Sequence, residues 1–134
     1  MKMIKGVSHI TIIIADLEKT ARLFCEGLGA EEVYDSKPRN FSLSREKYFI
    51  LTGIWLVAME GDQSERSYRH IAFKVEEKDI AAIGKRITGL GATIAAPRAR
   101  VPGEGQSLYF YDFDNNLFEL HTGGLKERLN AYQP

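Results

Sequence analysis

The chain has 134 residues, 44% of them hydrophobic, which is one domain's worth with enough apolar surface to build a core without staples. Lys+Arg and Asp+Glu each number 18, so the basic excess usual in nucleic-acid and membrane-surface binders is missing and neither partner is expected. A single cysteine, Cys25, excludes an internal disulfide; no apolar run approaches the roughly 20 residues of a membrane span, and Asp16 and Glu18 follow the short apolar N-terminal stretch too closely for a signal peptide, so a cytoplasmic protein is expected.

In chain order, His9–Ile14 alternates and then turns apolar, as a strand does. Asp16 is a helix N-cap candidate. Leu17, Ala21, Leu23, Phe24 and Leu28 are the apolar positions of the helix it opens, and Gly29 closes it. Three strand-like stretches follow: Glu32–Tyr34, Asn40–Leu43, and Tyr48–Leu51 running on into Ile54–Met59. The pattern then starts again. His70–Val75 is a strand and Lys78–Leu90 a helix ended by Gly91. Thr93–Ala95, Ser107–Tyr111 and Leu117–His121 are strands, the last entered through the turn formers Asp112–Asn116. His70 lies 61 residues after His9, and the triplet Leu90-Gly91-Ala92 lies 62 after Leu28-Gly29-Ala30.

The expected fold is therefore α+β, built from two βαβββ repeats that together form a cupped mixed sheet. Repeat 1 spans about 4–62 and repeat 2 about 66–123, with a short C-terminal helix over about 124–132, all in one domain over 1–134. One helix covers one face of each sheet, so the other face needs a partner, either the sister repeat or a second chain.

Three polar residues occupy comparable places in the repeats. His9 and His70 open the first strand of each, and Glu119 lies on the last strand of the second, where the offset of 62 pairs it with Val57. Two imidazoles and a carboxylate form a common open-sided ligand set for Mn²⁺, Fe²⁺ or Zn²⁺. His121, two residues on and sharing the face of Glu119, is an alternative ligand. Each histidine taken alone also reads as a strand-end surface residue, and Glu119 as the solvent side of an edge strand. Cys25 reads as a small core residue rather than a nucleophile, and Gly103-Glu104-Gly105 as a hairpin loop near the site.

The double βαβββ pattern with His…His…Glu resembles the vicinal oxygen chelate (glyoxalase/bleomycin resistance/dioxygenase) superfamily. The segment from Ser107 through Glu119 to Gly123, with Leu125 and Arg128, resembles its fosfomycin-resistance group, as does Tyr68-x-His70-Ile-Ala-Phe73. Phe41-Ser-Leu-Ser-Arg-Glu46-Lys-Tyr-Phe and Pro102-Gly-Glu-Gly-Gln-Ser107 resemble the epoxide-hydrolase type within that group.

The resemblance implies the following roles. His9, His70 and Glu119 match ligands of Mn²⁺. Glu46 matches a general base that activates water. Thr11, Tyr68, Arg100, Ser107, Tyr109 and Arg128 match positions around a phosphonate, and Trp55 one that lines the oxirane pocket. It also implies a homodimer in which His9 reaches the metal held by His70 and Glu119 of the other chain. The substrate implied is fosfomycin, an epoxide bearing a phosphonate, and the product a diol. Three alternatives share the scaffold: a glutathione or bacillithiol S-transferase, a glyoxalase- or dioxygenase-like enzyme, and a drug-sequestering protein without a metal.

Overall fold

The computed structural model describes residues 1–133 and divides the chain into two compact units, Met1–Ser64 and from Glu65 onward. In the first, β1 (Ile10–Ile14) leads to α1 (Leu17–Arg22), which continues as a π-helical turn over Leu23–Gly27. β2 (Glu31–Asp35), β3 (Glu46–Leu51) and β4 (Ile54–Glu60) follow. The second contains β5 (His70–Lys74), α2 (Glu77–Gly89), β6 (Thr93–Ile94), β7 (Ser107–Tyr111), β8 (Leu117–His121) and α3 (Leu125–Tyr132).

The two sheets have the same order, β1-β4-β3-β2 and β5-β8-β7-β6. In each, the first strand runs parallel to the last and the remaining pairs are antiparallel. Thr11 sits beside Val57 and Ala72 beside Glu119, so Val57 is the structural counterpart of Glu119.

Local chemistry accounts for the elements. Asp16, extended at φ −122°, accepts the Lys19 amide at 3.0 Å and caps α1. Gly29 and Gly91, at φ +80° and +101°, follow the two long helical segments. Leu17, Thr20, Leu23 and Phe24 are the buried face of the first helix, and Phe24 meets Phe49 edge-on with ring centroids 5.2 Å apart. Both rings are fully buried, each contributing about 1.5–3 kcal/mol by removal from water. The second unit packs Phe118 against Phe110 and Phe73, at 5.4 and 6.2 Å, with Leu120 and Ile87 buried as well.

The expected strand at Asn40–Leu43 does not form. Phe41 and Leu43 are 77% and 93% exposed, and the Ser42 amide is taken by the Asn40 side chain at 3.1 Å. The alternation Phe-Ser-Leu-Ser imitates a strand, but no neighbouring strand pairs with it. The third strand of the unit arises because Tyr48–Leu51 and Ile54–Met59, a continuous stretch in the sequence apart from the break expected at Gly53, are two strands. Thr52 and Gly53, at φ +50° and +79°, make the two-residue turn between them. Cys25 is half-buried, and burial pushes its thiol up, away from the reactive thiolate.

Candidate active site

In the second unit, pairing sets Ser107 opposite His121 and Tyr109 opposite Glu119. Side chains alternate along a strand, so these four share the face that Phe118 and Leu120 leave. It is polar and closed: Glu119 and His121 are 3% and 8% exposed. Burying such groups is tolerable only when their hydrogen-bonding capacity is met.

The Arg128 guanidinium lies 3.2 Å from His121 Nε2, and His121 Nδ1 lies 2.6 Å from Ser107 Oγ. Arginine only donates, so Nε2 accepts and Nδ1 carries the hydrogen. The Ser107 hydroxyl in turn donates to Glu119 Oε2. A relay therefore runs Arg128, His121, Ser107, Glu119. Burial, with Arg128 and Arg100 nearby, outweighs the pull of Glu119 and holds the His121 imidazole below its ordinary pKa, hence neutral. With both ring nitrogens occupied, His121 works as a hydrogen-bond link to Glu119.

Burial alone would push the Glu119 carboxyl up, but the Ser107 hydroxyl and the Arg100 guanidinium, with Nη2 3.1 Å from Oε2, bring it below the usual carboxylate value. Its other oxygen, Oε1, faces His70 Nε2 at 3.0 Å. His70 Nδ1 lies 2.6 Å from the Tyr68 carbonyl and so carries that ring's hydrogen. A neutral His70 then points a bare nitrogen at a carboxylate oxygen. Two acceptors at that distance call for a proton or a cation between them. The spacing is also that of adjacent ligands around an octahedral dication with bonds of about 2.1 Å. The donor set, one imidazole nitrogen and one carboxylate oxygen, suits manganese or iron. Among the described residues, no three His, Cys, Asp or Glu side chains gather into a metal-holding group.

Tyr109, itself buried, receives Arg100 Nη2 at 3.0 Å and stands 2.8 Å from the Tyr68 hydroxyl. Beside these lies a cavity of about 360 Å³ lined by Arg66, Tyr68, Arg98, Tyr109, Tyr111 and Leu117. The face thus combines arginines and hydroxyls that donate with a carboxylate–imidazole pair, a combination suited to an oxyanion and a metal cation. All seven expected site residues of this unit (Tyr68, His70, Arg100, Ser107, Tyr109, Glu119, Arg128) belong to one network.

The first unit carries the other four. Thr11, Val57, Tyr48 and Tyr34 stand in register across β1, β4, β3 and β2, with Glu46 two residues before Tyr48 on the same face. Glu46, which the charged stretch Ser44–Lys47 would put on a solvated turn, is 5% exposed and opens β3. Its amide is bonded by Ser36 Oγ at 3.0 Å, and its Oε1 accepts the Tyr48 hydroxyl at 2.5 Å. The His9 ring rests on Trp55, centroids 4.4 Å apart, and Trp55 meets Tyr48 at 5.2 Å. The Trp55 Nε1–H is buried without a partner, and Thr11 is exposed on this face.

Sequence reasoning did not single out Tyr48, Arg98 or Tyr132, and it placed Glu104 on a hairpin loop without assigning it a role. Tyr48 was within reach of the alternation rule, two residues from Glu46. The hydrogen bond to Glu46 raises Tyr48 from 10.0 to about 12. A raised folded-state value gives stability that is complete below pH 10 and gone once the pH has passed about 12. Tyr48→Phe is therefore expected to remove one tyrosinate step near pH 12 from an ultraviolet titration and to flatten the loss of stability over that range. A high-pH titration with as many steps near pH 12 as the unmodified chain would show that the hydroxyl does not engage Glu46.

The model of the Glyoxalase/Bleomycin resistance protein/Dioxygenase superfamily matches residues 6–120, and the chain belongs to that superfamily. Within it, the chain is 51% identical over 131 residues to the fosfomycin resistance protein FosX of Listeria monocytogenes, covering 97% of this chain and 98% of that one. It is 35% identical to the metallothiol transferase FosB of Bacillus licheniformis, covering 97% and 83%. A crystal structure of a point mutant of L. monocytogenes FosX, complexed with Mn(II) and 1S,2S-dihydroxypropylphosphonic acid, superimposes with a TM-score of 0.87 at 47% identity, covering 98% of this chain and 100% of that one.

Proposed function

We infer that this chain is an Mn(II)-dependent hydrolase that opens the epoxide of fosfomycin with water, giving a vicinal diol phosphonate and resistance to the antibiotic. The observation that carries the reading is the diol phosphonate bound with Mn(II) in the FosX structure, since that molecule is what water, and no other nucleophile, makes of this epoxide. The facing pair His70 Nε2 and Glu119 Oε1 supports it as a place for the metal, with His9, the repeat-related imidazole, as third ligand. The protein works as a cytoplasmic homodimer, both units of each chain acting as one domain, and His9 comes from the other protomer. No helix among the described residues is long and apolar enough to cross a membrane.

What the metal adds when bound is Lewis acidity toward the oxirane oxygen. Arg100, Arg128, Tyr109 and Tyr68 bind the phosphonate by hydrogen bonds and so fix the direction in which the ring presents its carbons, while Ser107, whose hydroxyl donates to Glu119, borders the same place. Thr11 and Trp55 line the same pocket. Glu46 takes a proton from water as the water oxygen bonds to a ring carbon and the carbon–oxygen bond behind it breaks. The ring oxygen recovers a proton through solvent, so the sum is one water added.

The decisive test is to incubate the purified chain with Mn(II) and fosfomycin in the absence of any thiol, following phosphorus NMR. The diol phosphonate is expected. A product that forms only when glutathione or bacillithiol is added would overturn the reading in favour of S-transfer.

A further inference from the structure

Glu104 is 1% exposed, as deep as any core side chain, although it lies in a loop between two glycines. Its Oε1 receives Arg98 Nη2 at 2.5 Å, Arg100 Nη1 at 3.0 Å and the Tyr132 hydroxyl at 2.6 Å, with Arg128 Nε 4.0 Å away; Oε2 receives the Val101 amide at 2.9 Å. The loop is pressed on the chain that follows β8: a Cβ at Gly123 would lie 2.6 Å from the Glu104 carbonyl oxygen, and one at Gly105 2.8 Å from the Gly123 amide. Neither position has room for a side chain, so the carboxylate has little freedom to shift.

Two consequences follow from this placement. Arg100 is held at both ends, with Nη1 on Glu104 and Nη2 on Tyr109 and Glu119. The Glu104 end therefore decides where the Nη2 end points. Second, α3 buries no residue, and Leu125, Leu129 and Tyr132 on it are all more than half exposed. Apolar packing contributes little to seating this helix, and the bond from Tyr132 to Glu104 helps tie it down. Without the carboxylate, the guanidinium groups of Arg98 and Arg100 would repel one another at short range, and α3, with Arg128, would lose an anchor.

We propose that Glu104 is a positioning residue for oxyanion recognition: one buried carboxylate orients Arg100 and seats the helix carrying Arg128, so that both guanidinium groups meet a phosphonate from fixed directions. The proposal rests on the reading that this face binds the phosphonate of the substrate. It assigns Glu104 no contact with the reacting atoms.

The test uses the full chain with Mn(II) and calorimetric titration of methylphosphonate, alongside fosfomycin kinetics. Glu104→Gln keeps the shape and loses the charge. It is expected to weaken methylphosphonate binding and raise KM about tenfold each, with kcat changed less than threefold and Mn(II) affinity unchanged. Tyr132→Phe removes one donor from an exposed helix and is expected to weaken methylphosphonate about threefold. Unchanged affinity in both variants overturns the proposal, as it does in Tyr132→Phe alone should Glu104→Gln not fold. So does a parallel fall in phosphonate and Mn(II) affinity, which marks a merely structural role. Failure of the unmodified chain to bind methylphosphonate refutes instead the reading of the site.

Discussion

Replacing Glu46 with glutamine is expected to lower kcat on fosfomycin by about a hundredfold or more, the usual scale for losing a general base, while KM and Mn(II) affinity stay within a few-fold. The substitution is close to isosteric. Glutamine offers a carbonyl oxygen to the Tyr48 hydroxyl, now 2.5 Å from Glu46 Oε1, so the buried contact and the start of β3 survive. What the amide lacks is the capacity to accept a proton from water and hold it. A carboxylate that merely braced the strand would give the opposite pattern, a lower melting temperature with turnover per folded molecule retained. Steady-state kinetics and a thermal melt on the same preparation separate the two. Equal losses of substrate affinity and turnover would remove Glu46 from the proton-transfer step.

The fold places Glu46 and the facing pair His70 and Glu119 on different repeats of one architecture. Both sheets have the same order, and Val57 stands where Glu119 stands. Each repeat carries its own set of side chains on the sheet face opposite the apolar core. The first carries Glu46, Tyr48, Trp55 and Thr11, the second the acid, imidazole and guanidinium groups. Because strand alternation fixes which side chains share a face, the core residues between them (Phe49, Leu56, Phe118, Leu120) aim the functional residues simply by taking the opposite side.

Local rules exposed much of this in the sequence. The Asp16 cap, the glycines that end the helices and the alternation of β1, β5, β7 and β8 depend on neighbours a few residues away, and the structure has each of them. The segment 40–43 went wrong because a strand needs a partner, and pairing is non-local: Phe41-Ser42-Leu43 alternates as well as any strand but has no neighbour. The break at Gly53 was legible, because glycine punctuates a run of strand formers, and the structure turns there through Thr52 and Gly53. Glu104 was invisible for a reason related to that of segment 40–43. Its donors come from positions 98, 100, 101 and 132, and a charged residue between glycines reads as solvated until the chain is folded around it. Glu46 looked solvated too, and only its resemblance to a known motif marked it.

Glu119→Gln provides the second large effect. Glutamine fits the same space and keeps an oxygen for Ser107 and Arg100, and Arg100 retains Glu104 as a charged partner. The apo protein is therefore expected to stay folded. The negative charge facing His70 Nε2 disappears, and with it the attraction that would hold a dication between the two side chains. Loss of a mere outer hydrogen-bond partner of a metal ligand costs about 10–100-fold in affinity, so loss of the anionic ligand itself is expected to cost at least a hundredfold. Titration of free Mn(II) by electron paramagnetic resonance reads this directly, without turnover. Excess Mn(II) should restore part of the activity of Glu119→Gln and none of that of Glu46→Gln, because the first defect lies in occupancy and the second in proton transfer. An Mn(II) affinity within threefold of the unmodified chain would show that Glu119 is not a ligand, and the assignment of His70 as its companion would fall with it.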